Sequence, residues 1–172
     1  ATTLQRIDLD VYAHYTQTDN IDLSALAFSP LVDIDFSLDS DVTTGELGFS
    51  GVYNGNDYAI IGLTLDETDA APDTNKPTAL FRYIGPQGIV QNLRFEGVDI
   101  HSRNGAATVA GALMGTIKDV SVGGIINISG NYNVGGIAGF MVVADETRTP
   151  LLSGTHIGEG SLINNGLGEG VP

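Results

Sequence analysis

The sequence predicts an all-β fold, a parallel β-helix (β-solenoid) with short strands, glycine-rich corners and insertion loops. Three observations carry this: apolar residues alternate with polar ones, Gly, Asn, Asp and Pro break the chain every few positions, and short blocks recur at offsets of 27 and 30 residues. Ile7, Leu9 and Val11 alternate with Asp8, Asp10 and Tyr12, which predicts a strand with one apolar face. Val32, Ile34, Phe36 and Leu38 repeat the pattern against Asp33, Asp35, Ser37 and Asp39, and it returns in Leu93/Phe95 and Val120/Val122. No window carries a long helical stripe.

The recurring blocks set the solenoid period. Val90, Asn92, Leu93, Phe95 and Gly97 match Ile117, Asp119, Val120, Val122 and Gly124 at an offset of 27, and Ile60, Leu63 and Leu65 match Val90, Leu93 and Phe95 at an offset of 30. Between them lie Thr78-Ala79-Leu80-Phe81, Val109-Ala110-Gly111-Ala112-Leu113 and Val134-Gly135-Gly136-Ile137-Ala138-Gly139. Small residues at these places suit tight corners, where a large side chain would strike the neighbouring coil. One such turn cannot bury its own apolar face, so neighbours must stack on it.

Composition bounds what the domain can do. The chain has 172 residues, 23 of them glycine and none cysteine, with a formal net charge of -14. One domain with its own core is expected, and disulfide or thiolate chemistry is excluded. Arg6 is the single cation among residues 1–75, against fourteen carboxylates, a net of 1 - 14 = -13; residues 76–172 carry six cations and seven carboxylates, a net of -1. Such acidity argues against nucleic acid as a partner, and no apolar run is long enough for membrane insertion. The expected organisation is one solenoid domain over 1–172, with an acidic segment at 1–45 that caps the first coil, repeated coils at 46–163 and a glycine-rich linker or tail at 164–172.

Several of these motifs resemble GLUG-motif repeat regions. Ile21-Asp22-Leu23, then Phe49 to Leu63 (FSGVYNGNDYAIIGL), is similar to that family's opening strand and turn; Ala79 to Ile84 and Val134 to Gly139 are similar to its two glycine blocks. The likeness spans about residues 16–140, with Asn54, Asp57, Arg82 and Ala110 departing from the family pattern. It implies an extracellular or cell-surface location in a bacterial adhesin-like protein, or in a non-catalytic region of a surface protease. It implies no catalytic residues.

Asp8/Asp10, Asp33/Asp35 and Asp39/Asp41 are spaced i, i+2, so on strands each pair projects two carboxylates from one face, the oxygen chemistry that suits Ca2+. One pair supplies too few of the six to eight oxygens required, and plain surface carboxylates are the simpler reading. Asn54-Gly55-Asn56-Asp57 reads as a structural turn. His14, His101 and His156 share no metal-ligand spacing. Arg82, Arg94, Arg103 and Lys118 form no evident cluster, with Arg94 expected to face outward between Leu93 and Phe95. No catalytic residue and no cofactor is expected.

A binding module fits better. Tyr53, Tyr58 and Tyr83 are candidate contacts for an extracellular glycan or protein ligand, or else cap the coil edges. Asp66 to Thr78 and Val142 to Pro150 are expected to be insertion loops. The expected function is a non-catalytic extracellular module, covalently continuous with further domains; the alternative is a carbohydrate-active β-helix or the accessory region of a surface protease.

Overall fold

The computed structural model describes residues 4–33, 48–69, 76–143, 146–158 and 162–165. These form an all-β structure in which every strand pairing is parallel. A 3-10 helix, Leu4–Leu9, precedes β1 (His14–Thr16), β2 (Ile21–Asp22), β3 (Val52–Asn54), β4 (Ala59–Glu67), β5 (Phe81–Ile84), β6 (Ile89–Ser102) and β7 (Ala106–Ala107). There follow β8 (Ala110–Leu113), β9 (Thr116–Gly130), β10 (Val134–Gly135), β11 (Ala138–Met141), β12 (Leu151–Ser153), β13 (His156–Ile157) and β14 (Leu162–Asn165).

From β6 onward the chain visits three sheets in turn. The main sheet holds β1, β2, β3, β4, β6, β9 and β12 to β14; β7 and β10 form a second, and β5, β8 and β11 a third. From β6 the chain passes through β7 and β8 and returns as β9 beside β6, so consecutive visits to each sheet stack as layers. The register records the spacing: Val90 pairs with Ile117, Ala106 with Val134, and Ala110 with Ala138. Parallel strands need crossover connections of a dozen or more residues, and here the other two sheets supply them.

Alternation decides which side chains form the core. Val90, Leu93, Phe95, Val98 and Ile100 of β6 are buried, as are Ile117, Val120, Val122, Ile126 and Ile128 of β9. Each such side chain contributes about 1.5–3 kcal/mol relative to exposure. Two bends break the alternation in each long strand. One has Asn92 and Asp119 at φ +51° and +53°; the other has Gly97 and Gly124 at +78° and +74°. At the first bend the preceding layer carries Asn56 and Asp57 at positive φ, and the Tyr58 amide donates to the Gly55 carbonyl, as the Asn-Gly-Asn-Asp turn requires. Just before β6, a Cβ at Gly88 would overlap the Phe49 carbonyl oxygen, so close approach of layers demands glycine there.

Three expectations are corrected. Residues expected as a first strand around Asp8 form the 3-10 helix, in which Leu4 and Ile7, three apart, are buried while Leu9 is 80% exposed. The offset of 30 is wrong: Ile60, Leu63 and Leu65 pair with Phe95, Val98 and Ile100, an offset of 35. Asp66 and Glu67 belong to β4 and not to the loop that follows it. Elsewhere the offset of 27 holds from Ile89 to Glu96, and Arg94 faces outward opposite Ser121.

Candidate functional site: the outer face of the main sheet

Of the predicted calcium residues, Asp8, Asp10 and Asp33 make local contacts. Asp8 accepts the Val32 amide at 2.7 Å, and Asp10 accepts the Tyr12 amide at 3.1 Å while its carbonyl accepts the Tyr15 hydroxyl at 2.7 Å. On the 3-10 helix and the turn after it, Asp8 and Asp10 do not project from one strand face. Asp33 pairs with Lys76 at 2.7 Å; Asp35, Asp39 and Asp41 lie outside the described residues. Among the described residues no three His, Asp or Glu side chains converge as metal ligands.

The tyrosines divide. Tyr53 is buried, its hydroxyl donating to Gln17 Oε1 at 2.9 Å, and burial holds its pKa far above the ordinary tyrosine value. Tyr83 is also buried, which leaves Tyr58, half-buried, as the one of the three with surface to offer.

Arg82 is the centre of an interior clip. Its Nη1 donates to Glu67 Oε2 at 2.7 Å and to the Pro77 carbonyl at 2.9 Å, and its Nη2 contacts Glu67 Oε1. Nε lies 3.1 Å from Asp33 Oδ1, near enough for charge attraction though misaligned for a hydrogen bond. Burial alone would lower the guanidinium pKa, but the hydrogen bonds and charge of Glu67, then Asp33, hold it above its ordinary value. With its polar atoms spent on the fold, this cluster is structural.

Outward positions on β4, β6 and β9 converge on a different surface. Register sets Thr64, Asp99 and Asn127 in one row and Asp66, His101 and Ser129 in the next. His101 Nδ1 lies 2.6 Å from Ser129 Oγ, and its Nε2 lies 3.0 Å from Asp99 Oδ1, which also accepts from Asn127 Nδ2 at 3.0 Å. Asp66 is held below the usual carboxylate range, chiefly by the Thr68 amide and hydroxyl, with a smaller contribution from His101. Arg94, Ser121 and His156 form a third row beyond the glycine bend, in a shallow groove of about 450 Å³ that includes Glu96 and Gly124. A second groove of about 330 Å³ lies across the bend, between Thr64, Asp99, Asn127 and Ile125. Ile125 is the extra residue of a β-bulge in β9 and is 86% exposed, an apolar ridge beside polar rows.

This arrangement offers donors, acceptors and one apolar edge over a broad shallow surface. Asp99, His101 and Ser129 have the residue types of a hydrolytic triad, brought side by side by the register of β9 on β6. Sequence reasoning missed the cluster because His101 was tested for metal spacing alone. The signal was present: Asp99 and His101 are spaced i, i+2 on a strand, and Ser129 follows His101 by 28 residues, close to the repeat.

No family model matches the chain, so the GLUG likeness rests on the motifs alone, and no solved structure matches it. The chain is similar to Halomucin of Haloquadratum walsbyi, 32% identical over 148 residues. That match covers 79% of this chain and 1% of Halomucin, so the chain spans about one hundredth of the relative's length.

Proposed function

We propose that this chain is a non-catalytic extracellular module of a larger surface protein, a parallel β-helix whose outer main-sheet face binds a glycan or protein ligand. The observation that carries the reading is the set of polar rows around Asp99, His101, Asn127 and Ser129, with the exposed Ile125 beside them. Polar groups that fix orientation beside an apolar contact are the ordinary chemistry of sugar recognition. The β-helix reading draws on the repeated order of three parallel sheets. Similarity to Halomucin supports an extracellular setting.

The test is a glycan array with and without Ca2+, using the wild-type chain and a His101→Ala/Asn127→Ala variant. Binding that is lost in the variant supports the reading. Binding that is unchanged moves the site elsewhere. Release of reducing or unsaturated sugar by the wild type would instead favour the carbohydrate-active alternative, for which the Ser129 to His101 contact is the motivating observation.

A further inference from the structure

We infer that Asn127 is a modification site, carrying an N-linked sugar that lies on the outer face of the main sheet. Asn127-Ile128-Ser129 is the single Asn-x-Ser/Thr triplet of the chain, the acceptor pattern for sugar transfer to an asparagine amide. So short a motif counts only where the fold presents it. Residues two apart on a strand share a face, and β9 turns Ile128 inward, fully buried, while Asn127 and Ser129 point outward and stay partly exposed. Asn127 Nδ2 donates to Asp99 Oδ1 at 3.0 Å and lies 3.5 Å from His101 Nε2. Beside it runs the groove of about 330 Å³, where Gly62 and Gly97 add no side chains. Other asparagines are committed to the fold: Asn56, Asn92 and Asn133 take positive φ, and Asn104 is buried.

The transfer is a substitution at the anomeric carbon of an activated donor, a sugar joined through phosphate to a carrier. A bond forms from Asn127 Nδ2 to that carbon, the bond from the carbon to the phosphate oxygen breaks, the carrier phosphate leaves with the bonding pair, and the amide gives up one proton. A separate enzyme holds the donor, and the Ser129 hydroxyl is the feature by which it accepts the asparagine. Because β9 is paired on both sides, with β6 and with β14, transfer precedes the completion of these ladders, while the chain is still extended.

After folding the sugar has a place. Its outward position disturbs no core packing, Thr64, Asp99 and His101 offer partners for its hydroxyls, and Ile125, 86% exposed, offers an apolar edge. The inference rests on the extracellular reading above, since the triplet is used in secreted chains. An attached sugar occupies the surface assigned there to an external ligand, so copies without it are the ones that bind.

The test is mass spectrometry of the chain recovered from its own cells, in the secreted and the intracellular fractions. Trypsin releases Asp119–Arg148, and fragmentation of that peptide places any added sugar on Asn127, on Ser129 or on neither. A sugar mass on Asn127 is expected in most secreted copies, with complete loss in Ser129→Ala, which keeps Asn127, and recovery in Ser129→Thr. Since transfer precedes folding, the variants are scored on total chain, folded or not. Secreted chain without sugar at Asn127, sugar on Ser129 instead, or sugar that persists in Ser129→Ala would overturn the modification and leave the extracellular reading standing. Chain found only inside the cell and without sugar would overturn both. The glycan array, run on chain made in cells that lack such transfer, reads the ligand site separately.

Discussion

Arg82 and Glu67 are joined by two parallel contacts at the edge of the interior, Nη1 to Oε2 at 2.7 Å and Nη2 to Oε1. The pair links β4 to β5, and through Pro77, Thr78 and Asp33 it fixes the chain on either side of the strand ends. Removing one member leaves a charge in a place built for two. Arg82→Ala should therefore cost about 2–4 kcal/mol, and Glu67→Gln, which keeps one acceptor, about half as much. Urea unfolding checks this: a lower midpoint with an unchanged slope is expected, and an unaltered midpoint for Arg82→Ala would show the pair to be idle.

The positive-φ bend at Asn92 and Asp119 makes a second prediction. Left-handed backbone costs an ordinary side chain roughly 1 kcal/mol, and Asn92 also donates through Nδ2 to Asn54 Oδ1 at 3.1 Å. Asn92→Ala loses both advantages and should destabilise by about 1–2 kcal/mol, whereas Asn92→Gly should lose less. If alanine proved the better substitute, backbone strain would not be what selects asparagine there.

These bends also explain which parts of the fold were legible in the sequence. The strand β6 carries two motifs of one form, an apolar residue, a kink and then two alternating apolar residues: Val90, Asn92, Leu93, Phe95 and again Phe95, Gly97, Val98, Ile100. Aligning Ile60, Leu63 and Leu65 onto the first of these matched the glycine bend of one layer to the asparagine bend of the next, which produced an offset of 30 where the register is 35. β6 and β9 each run unbroken through the Asn92 or Asp119 bend, whereas a turn splits β3 from β4, so the repeats of β6 and β9 align at 27. The opening helix was misread because Ile7, Leu9 and Val11 satisfy a period of two, and only the burial of Leu4 with Ile7 reveals the period of three. In the outer cluster the i, i+2 spacing of Asp99 and His101 is local, whereas Ser129 joins them only through the register of β9 on β6.

Two exposed carboxylates should titrate low. Asp22 is held below the usual range by the Ser24 hydroxyl and amide, and Asp66 by the Thr68 amide and hydroxyl. A folded-state pKa below the unfolded one contributes stability above the unfolded value, and that contribution disappears as pH falls through the folded value. Carboxyl NMR titration should place both below ordinary aspartate, and Ser24→Ala or Thr68→Val should return the neighbouring group toward it. Unmoved titrations in both variants would assign the shifts to another cause.

Tyr53 gives the alkaline counterpart. Its hydroxyl is buried against Gln17, which is itself buried and also donates to the Ala59 carbonyl at 3.0 Å. Because the folded pKa lies above the unfolded one, the contribution is complete below about pH 10 and fades as pH rises beyond it. Tyr53→Phe keeps the ring but leaves Gln17 Oε1 without this donor, at a cost of about 1–2 kcal/mol. Ultraviolet titration should show one tyrosine that ionises only with unfolding, and the variant should lack it.

The last prediction concerns salt. A net -13 on residues 1–75 repels itself over distances comparable to the Debye length, about 10 Å at 0.1 M salt and 3 Å at 1 M. Screening should therefore stabilise the fold, with Tm rising by several degrees between about 0.1 and 1 M NaCl, since each kcal/mol moves a domain of this size by about 2–4 °C. Asp69→Asn removes one exposed charge from this half and should raise Tm slightly at low salt, by the equivalent of about 0.5 kcal/mol, with the gain vanishing at high salt. The opposing contribution is the clip of Arg82 with Glu67 and Asp33, which added salt weakens least because Arg82 is only 6% exposed. A Tm that falls with NaCl would mean that such attractive pairs, and not the crowded carboxylates, dominate the electrostatics of the fold.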